Sequence, residues 1–452
     1  MNRLPRALTA SVRIRCAAGS LNRNRRRIYR AQCIGRRDVR ERRRRIPKEG
    51  GARGSVMEKK GNSLLETRRK NRVLIKNSIF RNRNITRTEI AERLCLTKAT
   101  ITTSVNELLR EGILEELPLS REALVGSYGR KPVSLAFRAE AGTAVGIELG
   151  AYQSRGVLMD MKGRVLKERS AGPANPSYEH MFRELREMIQ YLLPEERQRF
   201  LGIGVGLPGF IDNEKGVILR SPKARWSGRA LARELYKVFR EPVHIDNHVR
   251  LRAIGQDMIM RDRGIASFAY FFLSRDVSCP MIVQNESLSG SSCGAGALGK
   301  VLLSVDHESG VCRSVDELAS ERALFERCQK LLLEGRAPEL QKVLDQEGKL
   351  SIDLLLAMEE AGDEIIRGCF RETLRYAGAA LANVVNLLNP ELVVVDASIL
   401  QNAMNRGILL EESKKYFYSL NKGVRLLFVP FHKNRGAVGA AYSVIQRNFL
   451  DR

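Results

Sequence analysis

The chain has no Cys-x-x-Cys pair anywhere; its eight cysteines are scattered through 452 residues. That spacing excludes a disulfide framework and a zinc ribbon, and it suits a reducing compartment. Uninterrupted apolar stretches of 18 residues are missing too. The longest candidate, Leu381 to Val395, is broken by Asn383, Asn386, Asn389, Pro390 and Glu391. No membrane-spanning helix is expected from it, and a soluble, cytoplasmic chain is. Acids are the third shortage, 51 against 77 lysines and arginines, for a net charge of +26. Such a surplus draws the chain to a polyanion such as DNA, although charge alone carries no specificity. The length accommodates two or three domains with full cores.

Residues 1–56 hold 17 arginines and one lysine against three acids, so this stretch carries 15 of the net positive charges. It has almost no apolar periodicity and is expected to be disordered. A basic arm that strengthens DNA binding and an acid-poor, transit-peptide-like leader are two readings of it. A third is a start assigned too early. Met57 opens MEKKGNSLLETRRKN, where the composition changes abruptly, and this favours the third reading.

From Met57 the pattern becomes helical. Leu64 to Arg81 reads as an amphipathic helix, with Val73, Leu74, Ile75, Ile79 and Phe80 as its packing face. Ile85 to Gly112 reads as two short helices around a tight turn. Thr86 with Glu89 is a capping box, and Ile90, Ala91 and Leu94 form an apolar stripe. Thr97 is a good N-cap for the second helix, whose Ile101, Val105, Leu108 and Leu109 recur at helical spacing, and Gly112 ends it. Two strands follow, Ile113 to Leu117 and Val133 to Phe137, around a basic glycine-containing tip. Together these make a winged helix-turn-helix over about residues 57–138. Its second helix would present Thr97, Lys98, Thr100, Thr103 and Asn106 to the major groove of double-stranded operator DNA. Arg130 and Lys131 at the wing tip would meet phosphates or the minor groove. The plainer alternative is a three-helix packing module whose Thr and Lys residues face water. The wing and the paucity of outward acids favour DNA.

The run TRTEIAERLCLTKATITTSVNELLREGILEE…GRKP is similar to the N-terminal domain of the ROK family, which contains sugar-responsive repressors and sugar kinases. Beyond Gly142 strands alternate with helices: Ala144 to Leu149, Gly156 to Asp160, the glycine-rich GIGVG at 202–206, Val243 to Asp246, Phe268 to Leu273 and Leu392 to Val395. The segments GIGVGLPGFID, SPKARWSGRALARELYKVFREPVHIDN, LANVVNLLNPELVVVD and GAVGAAYSVIQ resemble the ROK sugar-kinase module. The resemblance implies an α/β chain: a winged helix-turn-helix followed by a two-lobed, ribonuclease-H-like ATPase fold of the actin and hexokinase type. This fold would span residues 139–452, with lobes of about 139–260 and 261–452. Gly202 to Gly206 is read as a strand end where backbone approaches a ligand closely.

Against the family's kinase pattern the chemistry is depleted. The catalytic Asp of the Asn-Asp pair is His248 here, after Asn247, and Asp246 lies one residue out of register, facing away. The first phosphate turn reads Glu148-Leu149-Gly150-Ala151-Tyr152-Gln153, with Tyr152 where backbone should meet phosphate. The second reads Ser274-Arg275-Asp276-Val277-Ser278, without its glycines. Asp396-Ala397 replaces an adenosine-side Gly-Gly. At the family's zinc knuckle stand His307, Ser309 and Ser314, with Cys312 between ligand positions, so no metal site is expected. The sugar-contacting positions drift basic: Lys223, His248, Arg250 and Lys300, with Asn247 retained and Ala297 replacing a Glu. Lys223, Asn247, His248 and Lys300 are therefore candidate effector ligands, suited to an anionic sugar derivative such as a sugar phosphate or sugar acid. The alternative is a decayed pocket with solvated charges. Trp226 is expected to pack beside the cleft.

The function expected is a DNA-binding transcriptional regulator, a repressor of carbohydrate genes, those of xylose among them. Its kinase-like domain would be catalytically inactive, with no cofactor, and would serve in sensing or assembly. The resemblance implies a homo-oligomer. The competing expectations are an ATP-dependent sugar kinase with a fused DNA-binding domain, and an architectural DNA binder that senses nothing.

Overall fold

Local capping starts the helices where the sequence signals them. In the computed structural model, which describes residues 64–82, 84–118, 133–306, 308, 310–430 and 432–452, helices α1 (Leu64–Arg81), α2 (Arg87–Leu94) and α3 (Lys98–Arg110) come first. The extension 1–56, Arg130, Lys131, His307 and Ser309 lie outside the described residues. Thr86 and Glu89 form the capping box of α2, and the Thr97 hydroxyl accepts the backbone N–H of Thr100 at 3.1 Å to cap α3. Gly112, at φ +67°, takes the left-handed turn after α3. Strands β1 (Leu114–Pro118) and β2 (Val133–Phe137) pair antiparallel, with Leu114 opposite Phe137. Ile75, Ile79, Phe80, Ile90, Ile101, Val105, Leu108, Leu114 and Leu135 are buried together. Leu74 does not join them: it is 48% exposed, and Lys76 is buried instead. The Lys76 ammonium donates to the Phe449 carbonyl and lies 5.0 Å from that ring's centroid. Burial and nearby Arg72 lower its pKa to about 8.

The first α/β half contains β3 (Thr143–Glu148), β4 (Ser154–Asp160), β5 (Val165–Ala171), α4 (Tyr178–Leu192), β6 (Phe200–Leu207), a hairpin of β7 (Phe210–Asp212) and β8 (Val217–Arg220), α5 (Leu231–Phe239) and β9 (Val243–Asn247). Its sheet runs β5-β4-β3-β6-β9, with β3, β6 and β9 parallel. Helix α6 (His248–Met260) leads to β10 (Phe268–Leu273), β11 (Val277–Ser278), β12 (Met281–Val283) and β13 (Glu286–Ser287). A hairpin of β14 (Leu302–Val305) and β15 (Cys312–Ser314) follows, then α7 (Val315–Ala319), α8 (Glu321–Leu333), α9 (Pro338–Glu347), α10 (Ile352–Glu360) and the long α11 (Glu364–Leu388). Strand β16 (Leu392–Ala397), α12 (Ala403–Lys415), β17 (Arg425–Phe428) and α13 (Arg435–Ile445) complete the order. The second sheet runs β13-β12-β10-β16-β17, with β11 on β10.

Because strand side chains alternate, each sheet buries both faces. On the first sheet Val145 and Ile147 pack on α4 and α5, while Ala144, Val157 and Met159 pack on α13. On the second, Ala269, Phe271 and Leu273 meet α11, and Phe268, Tyr270 and Phe272 meet α6. Helix α13 thus returns to the first half from the far end of the sequence, so a division of the chain near residue 260 misses one crossover. The glycines also differ from expectation. A Cβ on Gly204 would lie 2.2 Å from Ala440 O, and one on Gly146 would lie 2.0 Å from Ala437 O. The GIGVG strand therefore admits the backbone of α13 rather than a ligand. Among the described residues no helix is long and apolar enough to cross a membrane.

Candidate functional site

Two surfaces qualify. The first is the outward side of α3, where Lys98, Thr102, Thr103 and Asn106 are exposed. These positions recur at helical spacing opposite the buried Ile101, Val105 and Leu108. Thr97 faces outward as well, but its oxygen is engaged by Thr100, whose hydroxyl lies 2.9 Å away. Thr100 itself is half-buried on the flank. Asn106 accepts a hydrogen bond from Arg87 Nη2 at 3.1 Å, and Arg87 also pairs with Glu116 at 2.7 Å. Thr102 escaped the sequence reading; the phase of the helix, with Ile101 and Val105 inward, was the signal that identifies it.

The second is a cleft of about 1820 Å³ between the two sheets. All four candidate effector ligands, Lys223, Asn247, His248 and Lys300, line it. Their chemistry is not what the sequence suggested. Asn247 caps α6, its Oδ1 accepting from the backbone N–H of Val249 and Arg250 at 2.9 and 3.1 Å and its Nδ2 donating to Gly209 O at 2.8 Å. His248 donates from Nδ1 to Leu207 O at 3.2 Å and sits edge-on to Phe272. Burial pushes its pKa down, so the ring is neutral, with a lone pair on Nε2. Lys300 pairs with buried Asp316 at 2.7 Å. Lys223 is held 5.7 Å from the ring centroid of the fully buried Trp226, and burial, with a smaller contribution from the charge of Arg275, lowers its pKa. The positive charge expected at His248 is absent, and that at Lys300 is balanced.

Asp246 faces away from the cleft, its carboxylate accepting from Arg250 Nε at 2.8 Å and Asn213 Nδ2 at 3.1 Å. Arg250, a sugar-contacting position by resemblance, is buried in that ion pair. On the wall of the cleft two buried carboxylates share one cation. The Arg252 guanidinium bridges Glu148, at 2.6 and 3.0 Å, and Asp396, at 3.3 Å, and all three side chains are buried. These carboxylates hold the Arg252 pKa above its ordinary value despite burial. Tyr152 crosses the cleft from the first half and donates to Glu321 Oε2 at 2.9 Å. Glu321 is buried and also accepts from Ser274 and Ser398, and burial raises its pKa.

A family model described as the ROK family matches residues 144–447, two thirds of the chain. The chain belongs to the ROK family. The xylose repressor of Caldicellulosiruptor bescii is 27% identical over 332 residues, 72% of this chain and 82% of that protein. The xylose repressor of Bacillus spizizenii is 26% identical over 389 residues, 84% of this chain and 96% of that protein. Among solved structures, a ROK family transcriptional regulator described as a homologue of the E. coli MLC protein matches with a TM-score of 0.67 at 21% identity, over 85% of this chain and 97% of that one. The ROK domain therefore has the α/β sugar-kinase-like fold expected of it, joined here to the α1–β2 module.

Proposed function

We propose that this ROK chain is a sequence-specific, cytoplasmic DNA-binding transcriptional repressor whose ROK domain senses a sugar without phosphorylating it. The observation that carries the reading is the exposed row on α3, mounted on a helix whose other face is locked into a buried core. Helices α1 to α3 with the β1–β2 pair act as a winged helix-turn-helix, with Lys98, Thr102, Thr103 and Asn106 toward base edges. The two xylose repressors support it, since the alignment to the second extends well beyond the ROK domain alone. A homodimer would present two such helices to half-sites about one helical turn apart, roughly 34–36 Å.

The effector is a sugar bound in the cleft beside Lys223, Asn247, His248 and Lys300. A neutral His248 and a paired Lys300 favour a neutral sugar over the anionic derivative that the sequence suggested; an anion would rely on Lys223 with Arg275 nearby. The kinase reading is opposed by Tyr152 of the first phosphate turn, tied to Glu321, by Glu148 of the same turn, held by Arg252, and by the ion-paired state of Asp246, the carboxylate that precedes Asn247-His248 in the sequence.

Footprinting on the protein's own promoter region, with and without D-xylose, N-acetylglucosamine and a sugar phosphate, tests this. Specific protection that Lys98→Ala with Thr102→Ala removes, and that a sugar weakens, is the expected result. Protection that ignores both the variant and every sugar would leave an architectural DNA binder instead.

A further inference from the structure

Helix α6 begins in the cleft and ends at α1. His248, its first residue, lines the cleft, and Arg252, one turn later, bridges Glu148 and Asp396. Thirteen residues at 1.5 Å each carry the helix about 20 Å. Near its far end Asp257 is buried and accepts from Arg81 Nη1, on the last residue of α1, at 3.3 Å. Arg261, just beyond, holds its guanidinium 4.6 Å from the ring centroid of Phe80.

Helix α13 follows the same course. Arg435, its first residue, reaches the Asp396 carboxylate at 3.6 Å and donates to Gln256 of α6 and, at 2.7 Å, to Pro430 O. Two turns on, Tyr442 stacks on Phe80, with centroids 5.4 Å apart and planes 12° from parallel. The two helices touch backbone to backbone. A Cβ on Gly439 would fall 1.8 Å from Leu251 O, and one on Gly255 would fall 3.1 Å from Arg435 O. Neither helix can slide past the other without a clash, so the pair moves as one body.

We infer that α6 and α13 form a two-helix strut that carries the state of the cleft to the DNA-binding module, and that Phe80, Arg81 and Asp257 are the joint at its output end. The strut starts on the Glu148–Arg252–Asp396 bridge, which ties the two sheets, so any change in their separation moves its base. At the other end Phe80 and Arg81 close α1, the helix against which α2 and α3 pack. A tilt of the strut is therefore delivered to α3 by way of the last turn of α1, where the Phe80–Tyr442 stack, the Arg81–Asp257 ion pair and the Arg261–Phe80 contact meet. The inference rests on the proposal that a sugar in the cleft alters DNA binding.

A second ion pair between the ROK domain and the module supplies the control. Lys162 pairs with Glu115 of β1 at 2.7 Å, a contact that involves neither α1 nor the Phe80–Arg81–Asp257 joint. The experiment uses the full chain and a fragment of its own promoter. DNA affinity is measured with and without saturating D-xylose, N-acetylglucosamine or glucose 6-phosphate, and sugar binding is measured separately by calorimetry. In the wild type the effective sugar is expected to shift DNA affinity about 5-fold or more. Asp257→Asn and Arg81→Gln should each reduce that shift below about 2-fold, with sugar affinity and sugar-free DNA affinity held within about 3-fold. Glu115→Gln should leave the shift intact. A full shift in both joint variants overturns the strut alone, as does an equal loss in Glu115→Gln, which would spread the coupling over the whole interface. A wild type that no sugar shifts overturns the sensing proposal and the strut with it.

Discussion

Arg252 neutralises two buried carboxylates at once, so its removal strands both Glu148 and Asp396. Arg252→Met should therefore cost about 3–5 kcal/mol in urea unfolding. Lys300→Met leaves one buried carboxylate, Asp316, which keeps the Val277 N–H, and should cost less, about 1–3 kcal/mol. Three histidines contribute to the acid limb of stability. Burial is the first cause that holds His244, His248 and His432 below the ordinary value of 6.5. The unfolded chain takes up these protons as the pH falls through about 6.5, and the folded chain does not. Their contribution to stability is thus undiminished above that pH and declines below it. In His248→Asn, which keeps a donor toward Leu207 O, urea midpoints should fall less steeply between about pH 7 and pH 5 than in the wild type. At this scale the sequence was a partial guide. Lys98 and Thr103 face outward as their spacing predicts, because helical phase is a local property. That Lys300 finds Asp316 and that the Asn247 amide reaches Gly209 O depend on loops brought together only by the fold.

Helix packing is decided at a few positions where a methyl group does not fit. Gly439→Ala pushes a Cβ into the Leu251 carbonyl and should destabilise by about 1–3 kcal/mol or more, read as a lower urea midpoint. Gly368→Ala, on α11 with open space around it, should raise the midpoint by about 0.5–1 kcal/mol, since glycine is the poorer helix former. Most elements were legible. The capping box at Thr86, the N-cap at Thr97, strand β10 and helix α1 stand where periodicity and caps put them. What was not legible is which elements meet. GIGVG looks like a ligand loop until α13 is seen lying on Gly204, and Leu74 looks inward until the Phe449 carbonyl is seen to draw in Lys76. Both facts depend on residues more than 200 positions away.

For the molecule as a whole, the family and the two-sheet architecture followed from motifs spread along the chain, which no single segment would have secured. On the proposed non-enzymatic reading, with Tyr152 tied across the cleft to Glu321, a coupled ADP-release assay over a broad sugar panel should show no sugar-dependent turnover; robust turnover would return the chain to the enzymes. The buried core that joins α1 and β2 to α13 and Phe449 has a temporal side as well. Lys76 and Phe449 are 373 residues apart. At roughly 5–20 residues per second the ribosome needs about 20–75 s to cross that interval. Throughout it, Phe80 and Phe137 lack the partners they have in the finished protein, Tyr442 and Phe449. A nascent chain stalled before α13 would carry all of α3 and still lack the α13 side chains that pack on α1. The packing of α1 and β2 is thus completed only once α13 and Phe449 have been made, long after α3.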